Sequence, residues 1–314
     1  MKVVVTGGAG FIGANLCRML TETPAVTEIV AFDDLSTGLR GNLLGLDQVR
    51  LVEASILDAA ALQASVDGAD AVVHLAARPS VPMSLTDPMA SHQVNVTGTV
   101  QVLEAARKTG SYVVVASSSA VYGDNPVSPK HEGLAQQPLS PYGVTKVATE
   151  GYAAAYLHSF GVPTLALRFF NIFGPLQAPG HAYAAVVPAF VDAAIAGRPI
   201  PVHGDGLQTR DFVYVDTVAA TLATAVLERI THPGPVNLAS GTYTDLVTLV
   251  GELEEILGRS LEVEHHPARV GDIRDSQGDG STFRSLFPLV QPVDLRTGLR
   301  RTVEWFQAAG VAQG

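Results

Sequence analysis

The chain has 314 residues, 47% of them hydrophobic and 16% charged, with a formal net charge of −10. That balance describes a globular fold with length for one large or two smaller domains, and it argues against nucleic acid or an anionic membrane surface as partner. A single cysteine, Cys17, rules out an internal disulfide framework and fits a reducing cytoplasm, and the longest apolar run, Ala182 to Gly197, is broken by Pro188 and Asp192 and does not read as a membrane span.

The stretch Val3 to Gly13, VVVTGGAGFIG, predicts a short strand buried on both faces that turns through glycines straight into a helix. Gly8, Gly10 and Gly13 fit G-x-G-x-x-G, and Gly7 adds a second register. Such a turn lets backbone approach a pyrophosphate, with the free N–H groups of the helix start facing the anion, so Gly7, Gly10, Phe11, Ile12 and Gly13 are expected at a dinucleotide. A second strand, Glu28 to Phe32, ends at Asp33, 20 residues beyond Gly13. A carboxylate there accepts from both ribose hydroxyls and repels a 2′-phosphate, which favours NAD over NADP, although Arg40 nearby leaves an opening for NADP. Cys17, in the first helix, reads as a small core residue.

The loop Asp34-Leu35-Ser36-Thr37-Gly38 is placed to wrap the adenosine. A third strand, Arg50 to Ala54, leads through Ser55 and Ile56 to a helix near Asp58 to Val66. The fourth, Asp70 to Leu75, ends in Ala76-Ala77, small residues against which a cofactor can lie. A helix from about Asp87 to Lys108 is expected next, then a strand, Tyr112 to Ala116, that runs into Ser117-Ser118-Ser119. This alternation predicts an α/β fold with a doubly wound parallel sheet, its ligands outside the strands' carboxyl ends.

From Pro141 a helical pattern continues to about Phe160, and its i, i+4 spacing puts the Tyr142 phenol and the Lys146 ammonium on one face. A sixth strand, Thr164 to Phe170, closes at Asn171 to Pro175. Shorter mixed elements follow: a helix near Tyr183 to Ala196, a strand at Ile200 to His203, a turn at Gly204-Asp205-Gly206, and helices near Asp216 to Glu228 and Asp245 to Leu257. The simplest division is a Rossmann dinucleotide-binding domain over 1–175 and a smaller mixed α/β substrate domain over 176–314, with some segments returning to the first domain. The cleft between them would hold the substrate.

In order along the chain stand TGGAGFIG (6–13), DDLSTG (33–38), HLAA (74–77), NVTGT (95–99), SSSAVYG (117–123), SPYGVTK (140–146), RFFNIFGP (168–175), GDGLQTRDFVYVDT (204–217) and RVGDIR (269–274). This series resembles the extended short-chain dehydrogenase/reductase family, and within it the nucleotide-sugar epimerases of the UDP-glucose 4-epimerase type. The resemblance implies NAD as cofactor, with Leu75 and Phe170 also along it, and a UDP-sugar as substrate. It makes Tyr142 the catalytic base, Lys146 the group that tunes it and Ser118 the hydroxyl partner. It assigns a diphosphate clamp to Arg210, Arg269 and Asn171, Asp272 to the uridine ribose, and Ser80 and Ser276 to the substrate pocket. A small Ser276, where glucose- and galactose-restricted members have a large residue, points to room for an N-acetyl group. Ser55 stands where the family usually has an acid near the adenine.

Dehydratases of the same fold need an acid–base pair after the Ser118 position, and this chain has Ser119 and Ala120 there. A uronate 4-epimerase and a non-catalytic NAD-binding regulator remain as alternatives, and Arg78 and Met83 approach the sugar without an assigned role. The resemblance also implies a homodimer through the helices near Asp87 and Tyr142, and it implies no metal.

Overall fold

A computed structural model describes residues 1–179, 185–268 and 274–311. The strands β1 (Lys2–Thr6), β2 (Glu28–Asp33), β3 (Val49–Glu53), β4 (Ala71–His74), β5 (Tyr112–Ser118) and β6 (Thr164–Phe169) form one parallel sheet, completed beside β6 by Val236–Leu238. The order across it is Val236–Leu238, β6, β5, β4, β1, β2, β3. Val3, Val4 and Val5 are fully buried, as an all-β-branched run between two helical layers must be. The strand order reverses between β1 and β4, so a crevice opens there at the strands' carboxyl ends.

Helix α1 (Phe11–Thr21) starts directly from the glycine turn. Its N-cap, Gly10, makes no side-chain cap bond, so the first N–H groups remain available to an outside acceptor. One face of the sheet packs on α1 and the helix Val215–Glu228, through Leu16, Leu20, Val218 and Leu222. The other packs on α2 (Ala59–Val66) and on the helices of residues 98–109 and 141–160, through Leu62, Val102, Leu103 and Ala153. A third cluster, around Phe190, Leu249 and Leu299, joins the helices Val186–Ile195, Leu246–Leu257 and Leu295–Val311.

The helix expected from Asp87 to Lys108 runs without a break from Pro88 to Thr109, but its winding changes midway and a short helix precedes it. Ser80 caps α3 (Val81–Thr86), Asp87 caps α4 (Pro88–His92), a π-helical turn spans Gln93–Thr97, and α5 (Gly98–Thr109) follows. The cause is Asn95. Its amide accepts from the Arg78 N–H at 2.7 Å and donates to the Arg78 carbonyl at 3.2 Å and to Thr145 Oγ1 at 3.0 Å, bonds that a regular helix would not bring into line. Gly98 follows because a Cβ there would lie 2.4 Å from Ile56 Cδ1.

Beyond β6 the smaller sheets are mixed. Asn171–Phe173 pairs in parallel with Phe212–Tyr214, and Ile200–His203 with Val263–His266. Thr209–Arg210 sits between antiparallel Thr244–Asp245 and parallel Asp275–Ser276. The helix expected from Tyr183 runs from Val186 to Ile195 among the described residues. Helix α6 (Pro141–Phe160) begins where expected: Ser140 Oγ accepts from the Gly143 N–H at 3.1 Å, Pro141 fills the first turn, and Gly161 ends the helix in the left-handed region.

Candidate active site

A cavity of about 910 Å³ occupies the crevice at the carboxyl edge of the sheet. One wall is the glycine turn. Gly7 has φ +70°, and a Cβ on it would lie 2.8 Å from the Ala76 nitrogen; a Cβ on Gly13 would lie 2.1 Å from the Gly7 carbonyl oxygen. Only glycine lets β1, α1 and the end of β4 approach this closely, and the space left open is the shape a dinucleotide pyrophosphate requires.

Asp33 stands beside that turn and is 7% exposed. Its Oδ2 accepts from the Ala9 N–H at 2.9 Å and its Oδ1 from the Leu35 N–H at 2.8 Å. Burial pushes its carboxyl up, and these backbone donors pull it back. Each oxygen keeps lone-pair capacity for a ribose hydroxyl. Asp34, Ser36 and Thr37 also line the cavity. Gly38 does not line it but backs Asp33, where a Cβ would come within 2.8 Å of the carboxylate. Arg40, the opening for NADP, is turned away and paired with Glu53.

Ser55 is also off the cavity wall. Its Oγ accepts from the Leu57 N–H at 3.2 Å and shapes the turn, while its neighbours Ala54 and Ile56 supply the wall. Leu75, Ala76, Ala77 and Ser80 line the cavity as expected.

Ser118, at the tip of β5, and Tyr142 and Lys146, on α6, meet at the far wall. The Ser118 hydroxyl, which accepts from the Ala120 N–H at 3.2 Å, faces the Tyr142 phenol across the wall. Lys146 Nζ donates to the Ala116 carbonyl at 2.8 Å and lies 5.8 Å from the centroid of the Tyr142 ring. Enclosure pushes the Tyr142 phenol above its ordinary value, with Ser118 pulling against it. The expected lowering by Lys146 is not seen: burial raises the phenol and Ser118 is the group pulling it down. Lys146 itself is pushed down to about 8 by burial, against the charge of Glu150.

Phe170, Asn171 and Arg210 form the third side. Asn171 Nδ2 donates to the Asp211 carbonyl at 3.3 Å, and Arg210 Nη1 to the Thr209 carbonyl at 2.8 Å. Ser276 pairs in register with Arg210 and is not among the cavity's described lining residues. Arg269 and Asp272 lie outside the described residues.

Three residues without an assigned role belong to the site. Asn95 locks the Arg78 backbone to α6. His74 bridges Thr6 Oγ1 at 2.8 Å and Thr99 Oγ1 at 3.0 Å, beneath the turn. Arg78 lines the cavity, its Nε shielded and without a hydrogen-bond partner. Asn95 and His74 lie inside the NVTGT and HLAA motifs, whose order was legible although the contacts were not. Among the described residues no cluster of His, Cys, Asp or Glu could hold a metal ion, and no helix is long and apolar enough to cross a membrane.

The family model described as NAD dependent epimerase/dehydratase family matches residues 3–239. A UDP-glucose 4-epimerase of Mycolicibacterium smegmatis is 37% identical over 98% of this chain and 99% of its own length. Among solved structures, a UDP-N-acetylglucosamine 4-epimerase of Methanobrevibacter ruminantium, in complex with UDP-N-acetylmuramic acid, superposes with a TM-score of 0.92 at 33% identity, covering 98% of both chains. A Thermotoga maritima UDP-glucose 4-epimerase with UDP-glucose gives 0.92 at 33% identity, covering 98% of this chain and 99% of that one.

Proposed function

The chain belongs to the NAD-dependent epimerase/dehydratase family, and on that footing we propose that it inverts C4 of a UDP-hexose, either UDP-N-acetylglucosamine/UDP-N-acetylgalactosamine or UDP-glucose/UDP-galactose. The observation that carries the reading is the convergence of Ser118, Tyr142 and Lys146 on one wall of the cavity, opposite the glycine turn. NAD bound in that turn supplies a hydride acceptor and donor at its nicotinamide.

The residues divide the remaining work. Gly7, Gly10 and Gly13 give the pyrophosphate its close approach, and Asp33 holds the adenosine ribose. Tyr142 takes the proton of the sugar 4-hydroxyl as base, and Ser118, on the same cavity wall, holds the same oxygen and relays the proton. The Lys146 ammonium favours the phenolate, a function that gains weight once the positive nicotinamide adds its charge. After the 4-keto sugar has turned in the cavity, Tyr142 returns the proton on the opposite course. Arg210 and Asn171, with Arg269 and Asp272 by resemblance, hold the UDP diphosphate and ribose. At about 910 Å³ the cavity stands near the top of the ~300–1,000 Å³ range of ligand pockets, in keeping with two ligands side by side.

Ser119 and Ala120 follow Ser118, so the acid–base pair that elimination of water requires is absent from those positions. Arg78 supports a second reading: an unpartnered guanidinium group on the cavity wall suits the carboxylate of a UDP-uronate. Alongside α4 and the start of α6, Met89, Leu139 and Val144 are 65%, 57% and 54% exposed around one shallow groove, which supports pairing of two copies there.

The test is an NMR time course of the purified protein, without added cofactor, on UDP-N-acetylglucosamine, UDP-glucose and UDP-glucuronate separately. The expected result is the galacto epimer of one of the first two. Turnover of UDP-glucuronate alone would move the assignment to uronates, and a 4-keto-6-deoxy product would move it to dehydration.

A further inference from the structure

The face of α6 that carries Tyr142 and Lys146 continues one turn further to Glu150, which is 6% exposed and off the cavity wall. Four donors converge on its carboxylate. Ser117 Oγ and Arg168 Nε reach Oε1, and Arg168 Nη2 and Gln136 Nε2 reach Oε2, the arginine bonds both at 2.8 Å. Arg168 is 2% exposed and lies 4.7 Å over the Tyr122 ring, whose hydroxyl is bonded to Asn237. One carboxylate therefore ties together α6, which carries Tyr142 and Lys146, the tip of β5, which carries Ser118, and β6, which leads into Phe170 and Asn171.

We propose that Glu150, braced by Arg168, is a positioning residue: it holds Lys146 in its charged form beneath Tyr142 and fixes the β5 tip on which Ser118 stands. Ser117, bonded to Glu150, is the residue immediately before Ser118. The charges support the same assignment. Among the described residues, the ionisable groups facing Lys146 are Tyr142 and Glu150 on its own helix and His74 from β4, with Arg168 behind Glu150 from β6; the β5 tip offers only serine hydroxyls and the Ala116 carbonyl. His74 is neutral, pushed down to about 3 by burial and then by the Lys146 charge. Without Glu150, buried Arg168 would lose its paired carboxylate and buried Lys146 the negative charge that acts on it. Burial already pulls Lys146 down to about 8 with the carboxylate in place.

The link to turnover rests on the epimerase reading, but the link to Lys146 does not. The chain has 4 lysines, so the ¹³Cε resonance of Lys146 can be followed through a pH titration with no substrate present. Glu150→Gln is expected to move the Lys146 titration down by about two pH units, the scale of one charge a helical turn (~6 Å) away at an effective dielectric near 20. With the epimerised substrate, kcat at pH 7.5 is expected to fall about 10- to 100-fold with KM nearly constant, and the alkaline limb of kcat should move to lower pH with the lysine. Glu150→Asp keeps the charge one methylene back, and a smaller displacement in the same direction is expected. A folded Glu150→Gln protein whose Lys146 titrates as in the parent overturns the proposal, even where its stability or kcat has dropped. If Glu150→Gln does not fold, Glu150→Asp decides: an unchanged or raised Lys146 titration overturns it. An inactive parent protein would remove the epimerase reading and leave the lysine titration standing.

Discussion

Replacing His74 by Gln is expected to flatten the dependence of stability on acid. The His74 ring is fully enclosed between Thr6 and Thr99, and burial, then the Lys146 charge, push its pKa from an ordinary 6.5 to about 3. Below pH 6.5 the unfolded chain takes up a proton here that the native protein refuses until about pH 3. The unfolded state thus binds more protons throughout that window, so stability falls as the pH falls. At about 1.36 kcal/mol per pH unit, lowering the pH from 7.5 to 5 removes about 2 kcal/mol, and the full loss below pH 3 is about 5 kcal/mol. Lys146 does not confuse the measurement, because its lowered value of about 8, against an ordinary 10.5, places its own effect above pH 8. Urea unfolding of the parent and His74→Gln proteins at pH 7.5, 6 and 5 reads the difference. The variant should start about 1 kcal/mol less stable, one threonine hydroxyl having lost its partner, and then lose about 2 kcal/mol less across the range. Parallel losses in the two proteins would refute the assignment of a neutral, acid-resistant His74.

Gly13→Ala drives a methyl group against the Gly7 carbonyl, backbone against backbone, and should cost about 1–3 kcal/mol of stability together with most of the NAD that copurifies, read by absorbance after acid release. Asp33→Ser removes the acceptor for two backbone N–H groups as well as for the ribose. Calorimetric titration should show NAD binding weakened at least about 10-fold and the preference over NADP narrowed, and an unchanged ratio would count against Asp33 as the selecting group. Tyr142→Phe should keep its fold and its bound NAD while losing about 10²–10⁴ in kcat, whereas loss of NAD as well would mean that the phenol serves binding before chemistry.

The parts of the fold legible in the sequence were those written in local patterns. All-valine runs marked buried strands, glycines marked the turn, and Pro141 marked the start of α6. The π-helical turn at Gln93–Thr97 was not legible, because Asn95 leaves helical geometry to satisfy Arg78 and Thr145, residues distant in sequence. Val236–Leu238 gave no strand signal of its own; three residues become a strand only by lying beside β6. In the site, residue types and spacing pointed to Asp33 and to the pair Tyr142 and Lys146, the family resemblance pointed to Ser118, and the fold brings all four to one cavity. Ser55, Gly38 and Ser276 were placed on the cavity by position in a motif, yet none is among its described lining residues, because a motif's order does not say which side chains point inward.

The strand Val236–Leu238 also has a meaning for how this protein is made. Until residue 238 has left the ribosome, the outer edge of β6 carries unpaired N–H and C=O groups, a template to which any neighbouring extended chain can add. A nascent chain of 175 residues already contains the glycine turn, Ser118, Tyr142 and Lys146, but it also carries that open edge, and it lacks the helix Val215–Glu228 that covers α1. The later part of the chain thus completes the sheet that the earlier part begins, sealing the β6 edge with Val236–Leu238 and covering α1.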